Sequence, residues 1–484
     1  MKSTANLMVT IAAIAVASSA GAQESPPQQP PETDFVFQQV DAYATTSNRV
    51  ARQIWEWAEV GYKEEKSSRL LQQELAAEGF SIEKGVAGIP TAFIASWGTG
   101  PTVIAILAEF DALPGISQDA LPRRQEIDGK KAAHACGHNL FAAGSLSAAV
   151  AVKRWLEQTA TPGVVRLYGT PAEEGGSGKV YMVRAGLFDD VDVALHWHAD
   201  DQNTAAARTS LANRSAKFRF RGIAAHASGA PQRGRSALDG VEAMNFMVNL
   251  MREHVPQETR IHYVITNGGA TPNVVPDFAE VFYYVRHPQT SRVRELWTRV
   301  EAAAKAGALG TGTKVDWEII HGNNPVLVNE TLAKMMDRKL RIVGGVTYTS
   351  EEEAFARALY ATINEPNGKI GDQLTVQPYR RSIGGGSTDV GDVSWATPTV
   401  GVRTATWVPG TPGHSWQAAA ASGSSIGLKG AQSAAKTLAL AAVELFQSPE
   451  LRDAARREFV EARGADYEYV SLLGERKPPL DYRD

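Results

Sequence analysis

One cysteine in 484 residues leaves no intrachain disulfide to form. Neither sign of charge dominates: 49 Lys and Arg stand against 53 Asp and Glu, a net −4, so nothing marks nucleic acid or an anionic membrane as a partner. No segment repeats. The apolar run 7–16 is too short to cross a bilayer. Preceded by Lys2 and followed by Ala20-Gly21-Ala22, it reads as an export signal cleaved after Ala22. A periplasmic or secreted protein is expected, with no membrane span in the mature chain.

What is present is ordinary globular material, 43% hydrophobic and 21% charged, long enough for one large domain and a second. Export favours disulfides, so a lone cysteine there needs another use. Cys136 stands in His134-Ala135-Cys136-Gly137-His138. A thiolate and an imidazole two residues apart close on one ion only if the backbone turns sharply, which Gly137 permits. Some 35 residues on comes Thr170-Pro171-Ala172-Glu173-Glu174. Neighbouring side chains of a turning segment diverge, so one glutamate can bind metal while the other faces the water that metal acidifies.

Short apolar runs at 92–97, 103–107, 164–168 and 191–195 alternate with helical spacing and predict an α/β domain with a mostly parallel sheet. Three of these runs end in candidate ligands: Glu109 and Asp111, Glu173 and Glu174, His196 and His198. The C-terminal edge of such a sheet is where ligands bind. From residue 216 the pattern becomes βαββαβ, which predicts a ferredoxin-like inserted domain. The predicted organisation is a signal (1–22), a disordered Pro/Gln-rich spacer (23–34), a catalytic domain in two parts (35–212 and 324–450), an inserted lid and dimerisation domain (213–323) and a tail (451–484) with no assignable structure.

The strings AEFDALP, HACGHN, TPAEEGG, HAS with GRSALD, GGATPNVVPD and GSTDVGDVSW resemble the amidohydrolase branch of the dinuclear metallopeptidases, which includes aminoacylase, carboxypeptidase G and hippurate hydrolase. Within it the chain is similar to the group around the B-type subunit of aminobenzoyl-glutamate hydrolase. The resemblance implies two divalent ions, zinc or manganese, held by Cys136, His138, Glu174, His198 and His414, with Cys136 shared. Glu173 becomes the general acid/base, a task suited to a carboxylate of raised pKa. His198 is favoured over His196 because the family's ligand lies six residues after the aspartate that opens its strand, here Asp192. Asp111 is expected to orient a ligand and Asn139, where many relatives carry aspartate, to lie beside it. His226 is expected to reach the reacting carbonyl, often from a partner subunit. Asn273 and Arg286 match positions that bind substrate carbonyl or carboxylate.

The expected reaction is hydrolysis of an N-acyl or N-aroyl amino acid with a free carboxylate. The alternatives are a metallo-dipeptidase or carboxypeptidase acting on short peptides, and a non-catalytic subunit of a two-chain hydrolase. A homodimer through the inserted domain, or pairing with a paralogue, is implied. Trp197, Trp395, Trp407 and Trp416 near the motifs suggest an aryl group in the substrate.

Overall fold

The computed structural model describes residues 32–205 and 207–483, so the expected signal lies outside the described residues. The spacer ends sooner than expected: Glu32 and Asp34 already sit in the first turn of the helix Glu32–Trp57, where negative charge suits the helix N-terminus.

The central sheet has seven strands, in the order Ser81–Lys84, Phe93–Thr99, Gly163–Gly169, Val103–Ala108, Val193–Asp200, Thr399–Ala405 and Thr204–Ala205. It is mixed rather than mostly parallel. The three central pairings are parallel and the outer ones antiparallel. The reason is chain length: only residues 100–102 join Phe93–Thr99 to Val103–Ala108. Three residues cannot carry the chain back across the sheet for a second strand in the same direction, so it reverses, and Gly163–Gly169 between the two strands is antiparallel to one and parallel to the other. Val103–Ala108 is buried throughout, as its unbroken run Val-Ile-Ala-Ile-Leu-Ala requires of a strand covered on both faces.

Helices His138–Thr159, Glu32–Trp57 and Ser425–Gln447 pack against one another and help enclose this sheet in one core. Small residues let His138–Thr159 come close: a Cβ on Gly144 would meet the Trp197 ring at 2.8 Å. Trp197 is wholly buried and donates to Phe141 O at 3.1 Å, Trp395 donates to Pro325 O and Trp407 to Ser422 Oγ. Trp197 and Trp395 anchor packing, whereas Trp407 also lines a hollow beside Cys136, His198 and His414.

A second sheet, in the order Arg260–Asn267, Phe278–His287, Ala212–Arg221 and Lys314–Asn323, is antiparallel throughout. Helices Ala237–Met251 and Thr290–Thr311 pack on it around a separate core of Phe218, Phe220, Val281, Tyr283 and Trp297. Along Phe278–His287 every second residue is buried, which leaves Tyr284 and Arg286 on the opposite face. The tail is structured. Ser448 caps the helix Pro449–Arg463 through Leu451 N, and the segment after it runs back over both sheets' surroundings.

Candidate metal centre

The site gathers at the ends of the central strands. Gly137 has φ +77°, and a Cβ there would lie 2.4 Å from that of Ala199, so only glycine makes the turn that sets Cys136 beside His138 at the head of its helix. Strand Val193–Asp200 runs through both histidines instead of ending before them, because it pairs in register with Thr399–Ala405, His196 opposite Gly401 and His198 opposite Arg403. His196 fills the space Gly401 leaves: a Cβ there would meet the ring at 2.3 Å. At Ala172 the backbone takes φ +58°, turning Glu173 and Glu174 into the same hollow.

Two sets of three donors converge. Cys136, His138 and His198 form one and Cys136, Glu174 and His414 the other, the atoms of each within 4.8 Å of one another. Cys136 Sγ is 3.4 Å from His198 Nε2, and Glu174 Oε1 is 3.3 Å from His414 Nε2. A third set joins Glu109, His138 and Glu173.

The donors fit cations. His138 Nε2, Glu109 Oε2 and Glu174 Oε1 are buried without a hydrogen-bond partner, even though the first two lie only 3.0 Å apart. Buried polar atoms left this way are costly unless something satisfies them. Thiolate, imidazole and carboxylate together, three to a set with one shared, suit two divalent ions of the zinc type.

His138 Nδ1 lies 2.9 Å from Asp111 Oδ1 and 3.1 Å from Asp111 O. A proton on Nδ1 leaves the Nε2 lone pair facing the cluster. The other oxygen of Asp111 accepts from Glu174 N at 2.8 Å, so one carboxylate ties together the two ligand-bearing segments. Burial opposes the Cys136 thiolate, but His198 and His138 outweigh it and hold the thiol well below its ordinary value. Burial and the charges of Glu109 and Glu174 push Glu173 well above the usual carboxylate range.

Behind Glu109 lies a group the sequence reading missed. Lys179, wholly buried, sits 2.8 Å from Glu109 Oε1 and 2.7 Å from Asp389 Oδ1, and Asp389 also accepts the Lys179 backbone N–H at 2.9 Å. Glu109 was in view as an acid directly after an apolar strand. Nothing local marks Lys179, which reads as a solvated helix residue.

A cavity of about 550 Å³ opens on Glu109, Cys136, Glu173, Glu174, His198 and His414. Polar groups from Arg208, Ser210, Asn329, Ser387, Thr388 and Arg403 share the rest of the wall with Phe141 and several valines.

Other expected site residues lie elsewhere. The Asn139 amide donates to Ala51 O and Ser422 O and so fastens helices together beside His138 in the chain. His226 and Asn273 are exposed neighbours on the inserted domain, where Ala227 N donates to Asn273 O at 3.0 Å and His226 Nδ1 accepts from Gly229 N. Arg286 is half-buried, its guanidinium 5.2 Å from the Tyr284 ring. None of these three lines this cavity.

Residues 105–363 match the family described as peptidase family M20/M25/M40. The chain is 39% identical over 451 residues to the B-type subunit of p-aminobenzoyl-glutamate hydrolase from Escherichia coli K12, covering 88% of this chain and 94% of that one. It is 30% identical over 438 residues to the Xaa-Arg dipeptidase of Mus musculus, covering 87% and 90%. The crystal structure of an aminobenzoyl-glutamate utilization protein from Klebsiella pneumoniae superposes with a TM-score of 0.56 at 17% identity, over 81% of this chain and 97% of that one.

Proposed function

Because the chain belongs to the peptidase family M20/M25/M40, as a dinuclear metal-dependent hydrolase of amide bonds, we propose that its substrates are N-acyl and N-aroyl amino acids of the p-aminobenzoyl-glutamate type. The observation that carries this reading is Glu173, enclosed by protein yet open to the cavity, beside two donor sets that share Cys136. The sets would hold the ions through Cys136, His138 and His198 and through Cys136, Glu174 and His414. Bound there, the ions would supply Lewis acidity toward a carbonyl oxygen and a water.

The chain's own groups do the rest. Glu173 takes a proton from the attacking water and delivers it to the departing amine nitrogen, a transfer its raised pKa favours. Arg208 and Arg403 supply positive charge on the cavity wall, although Arg403 is already paired with Asp200 at 2.9 Å. The inserted domain acts as a ferredoxin-like lid and dimerisation surface. Through it His226 and Asn273, which miss this chain's own cavity, serve the cavity of a second copy or a paralogue, and Arg286 holds the substrate's carboxylate. Export to the periplasm or medium would place the activity on external amides.

A second reading, a metallo-dipeptidase, has the 30% identity to Xaa-Arg dipeptidase in its favour. The test is a panel assayed with the purified chain loaded with Zn²⁺ or Mn²⁺. Cleavage of p-aminobenzoyl-glutamate and other blocked amino acids, with unblocked Xaa-Arg dipeptides left intact, is expected. Preference for the dipeptides overturns the proposal in favour of the second reading.

A further inference from the structure

The segment 469–483 leads from the surface into the metal centre. Tyr469 Oη donates to Asp392 Oδ1 at 2.7 Å, and Leu472 is buried against Ala212 and Val293 of the inserted domain. Arg476 then donates to Ile320 O at 2.8 Å and to Glu318 at 2.6 Å, both on strand Lys314–Asn323, while its own carbonyl accepts from Arg184 of the central domain at 2.6 Å. The last two described residues reach the metal-binding turn. Tyr482 Oη donates to Glu174 O at 3.1 Å and Arg483 donates to the same oxygen at 2.5 Å. Space is reserved for this contact: a Cβ on Gly61 would lie 2.3 Å from Tyr482 Oη.

The turn needs holding. Ala172 and Ser177 flank it with φ +58° and +60°, conformations that L side chains rarely adopt and that persist only when their surroundings impose them. Glu64 accepts from Ala172 N at 2.8 Å, Asp111 from Glu174 N at 2.8 Å, and Tyr62 donates to Gly176 O at 2.7 Å. Tyr482 packs edge-on against that same Tyr62, ring centres 5.5 Å apart. Among the described hydrogen bonds, those to the Glu174 carbonyl come from the strap alone. Two donors on one carbonyl fix the peptide plane, and so the direction in which the Glu174 carboxylate leaves the backbone.

We propose that residues 469–483 form a strap running from the inserted domain to the metal-binding turn, with Tyr482 and Arg483 as positioning residues that aim Glu174 at the cation it shares with Cys136 and His414. This rests on the two-ion reading of the centre. The strap makes no described contact with the set Cys136, His138 and His198, so its effect is selective for one ion.

Zn²⁺ titration against a competing chelator tests it on the full chain, with kcat and KM recorded alongside. The double variant Tyr482→Phe/Arg483→Ala is expected to bind one of two Zn²⁺ about 10- to 100-fold more weakly, with the other unchanged. Its kcat at limiting Zn²⁺ falls in step, and Arg483→Lys alone keeps most of the affinity because an ammonium can still donate to the carbonyl. Should the double variant not fold, Tyr482→Phe keeps the ring on Tyr62 and is expected to weaken the same ion by a smaller factor. Two Zn²⁺ affinities within twofold of wild type in either folded variant, or equal weakening of both ions, overturns the strap's role. A wild-type chain that binds fewer than two Zn²⁺ removes the two-ion reading instead.

Discussion

The ammonium of Lys179 lies 2.8 Å from the carboxylate of Glu109, and both side chains are fully enclosed, at 0% and 1% exposure. Asp389, equally buried, completes the group at 2.7 Å. Two carboxylates and one ammonium therefore back the wall from which Glu173 faces the cavity. Removing one partner of such a buried set strands the others. Lys179→Met is expected to destabilise the metal-free protein by about 3–5 kcal/mol in urea denaturation. A loss below about 1 kcal/mol, the range of an exposed pair, would contradict the ionised arrangement.

Among the described residues Cys136 is the donor shared by the set with His138 and His198 and the set with Glu174 and His414. Cys136→Ala should strip both sites, whereas His198→Ala or His414→Ala should weaken chiefly one. Metal analysis after gel filtration distinguishes these outcomes. Retention of two ions by Cys136→Ala would mean that the thiolate is not shared.

Asp392 provides a pH test away from the metal donors. Its two oxygens accept from Asn324 N at 2.9 Å, Asn324 Nδ2 at 2.7 Å and Tyr469 Oη at 2.7 Å, yet burial raises its pKa to about 7. Between the ordinary aspartate range and pH 7 the folded protein keeps a proton that the unfolded chain has released. Stability contributed by this group is therefore present at low pH, declines as pH rises toward 7 and is flat above it. Every tenfold difference in acidity between the folded and unfolded chain is worth about 1.4 kcal/mol. Asp392→Asn should be less stable overall and should lose this part of the slope between about pH 4 and 7 relative to wild type. Parallel pH profiles for the two proteins would exclude Asp392 as its source.

What could be read in the sequence followed from locality. Cys136, Gly137 and His138 fall within one turn, and Glu173 and Glu174 are adjacent, so the grouping of their donors depends on little beyond the backbone at Gly137 and Ala172. The α/β alternation was legible because each strand carries its own apolar run. The sheet's mixed character was not: it depends on Gly163–Gly169 entering between two strands that are neighbours in sequence. Lys179 was hidden for a similar reason, since a lysine becomes tolerable in a core only when tertiary structure brings Glu109 and Asp389 to it, the latter 210 residues away. The strap left no periodic trace because it is fastened by long side chains reaching backbone carbonyls, a pattern that neither 3.6-residue nor two-residue spacing records.

The central claim, a two-ion centre in which Glu173 moves the proton, is tested most directly by turnover of p-aminobenzoyl-glutamate with wild type and Glu173→Gln, metal content being measured on the same samples. Two ions per chain are expected in both proteins, with a fall in kcat of about 10²- to 10⁴-fold in Glu173→Gln. Wild-type turnover by a Glu173→Gln protein carrying both ions would contradict it.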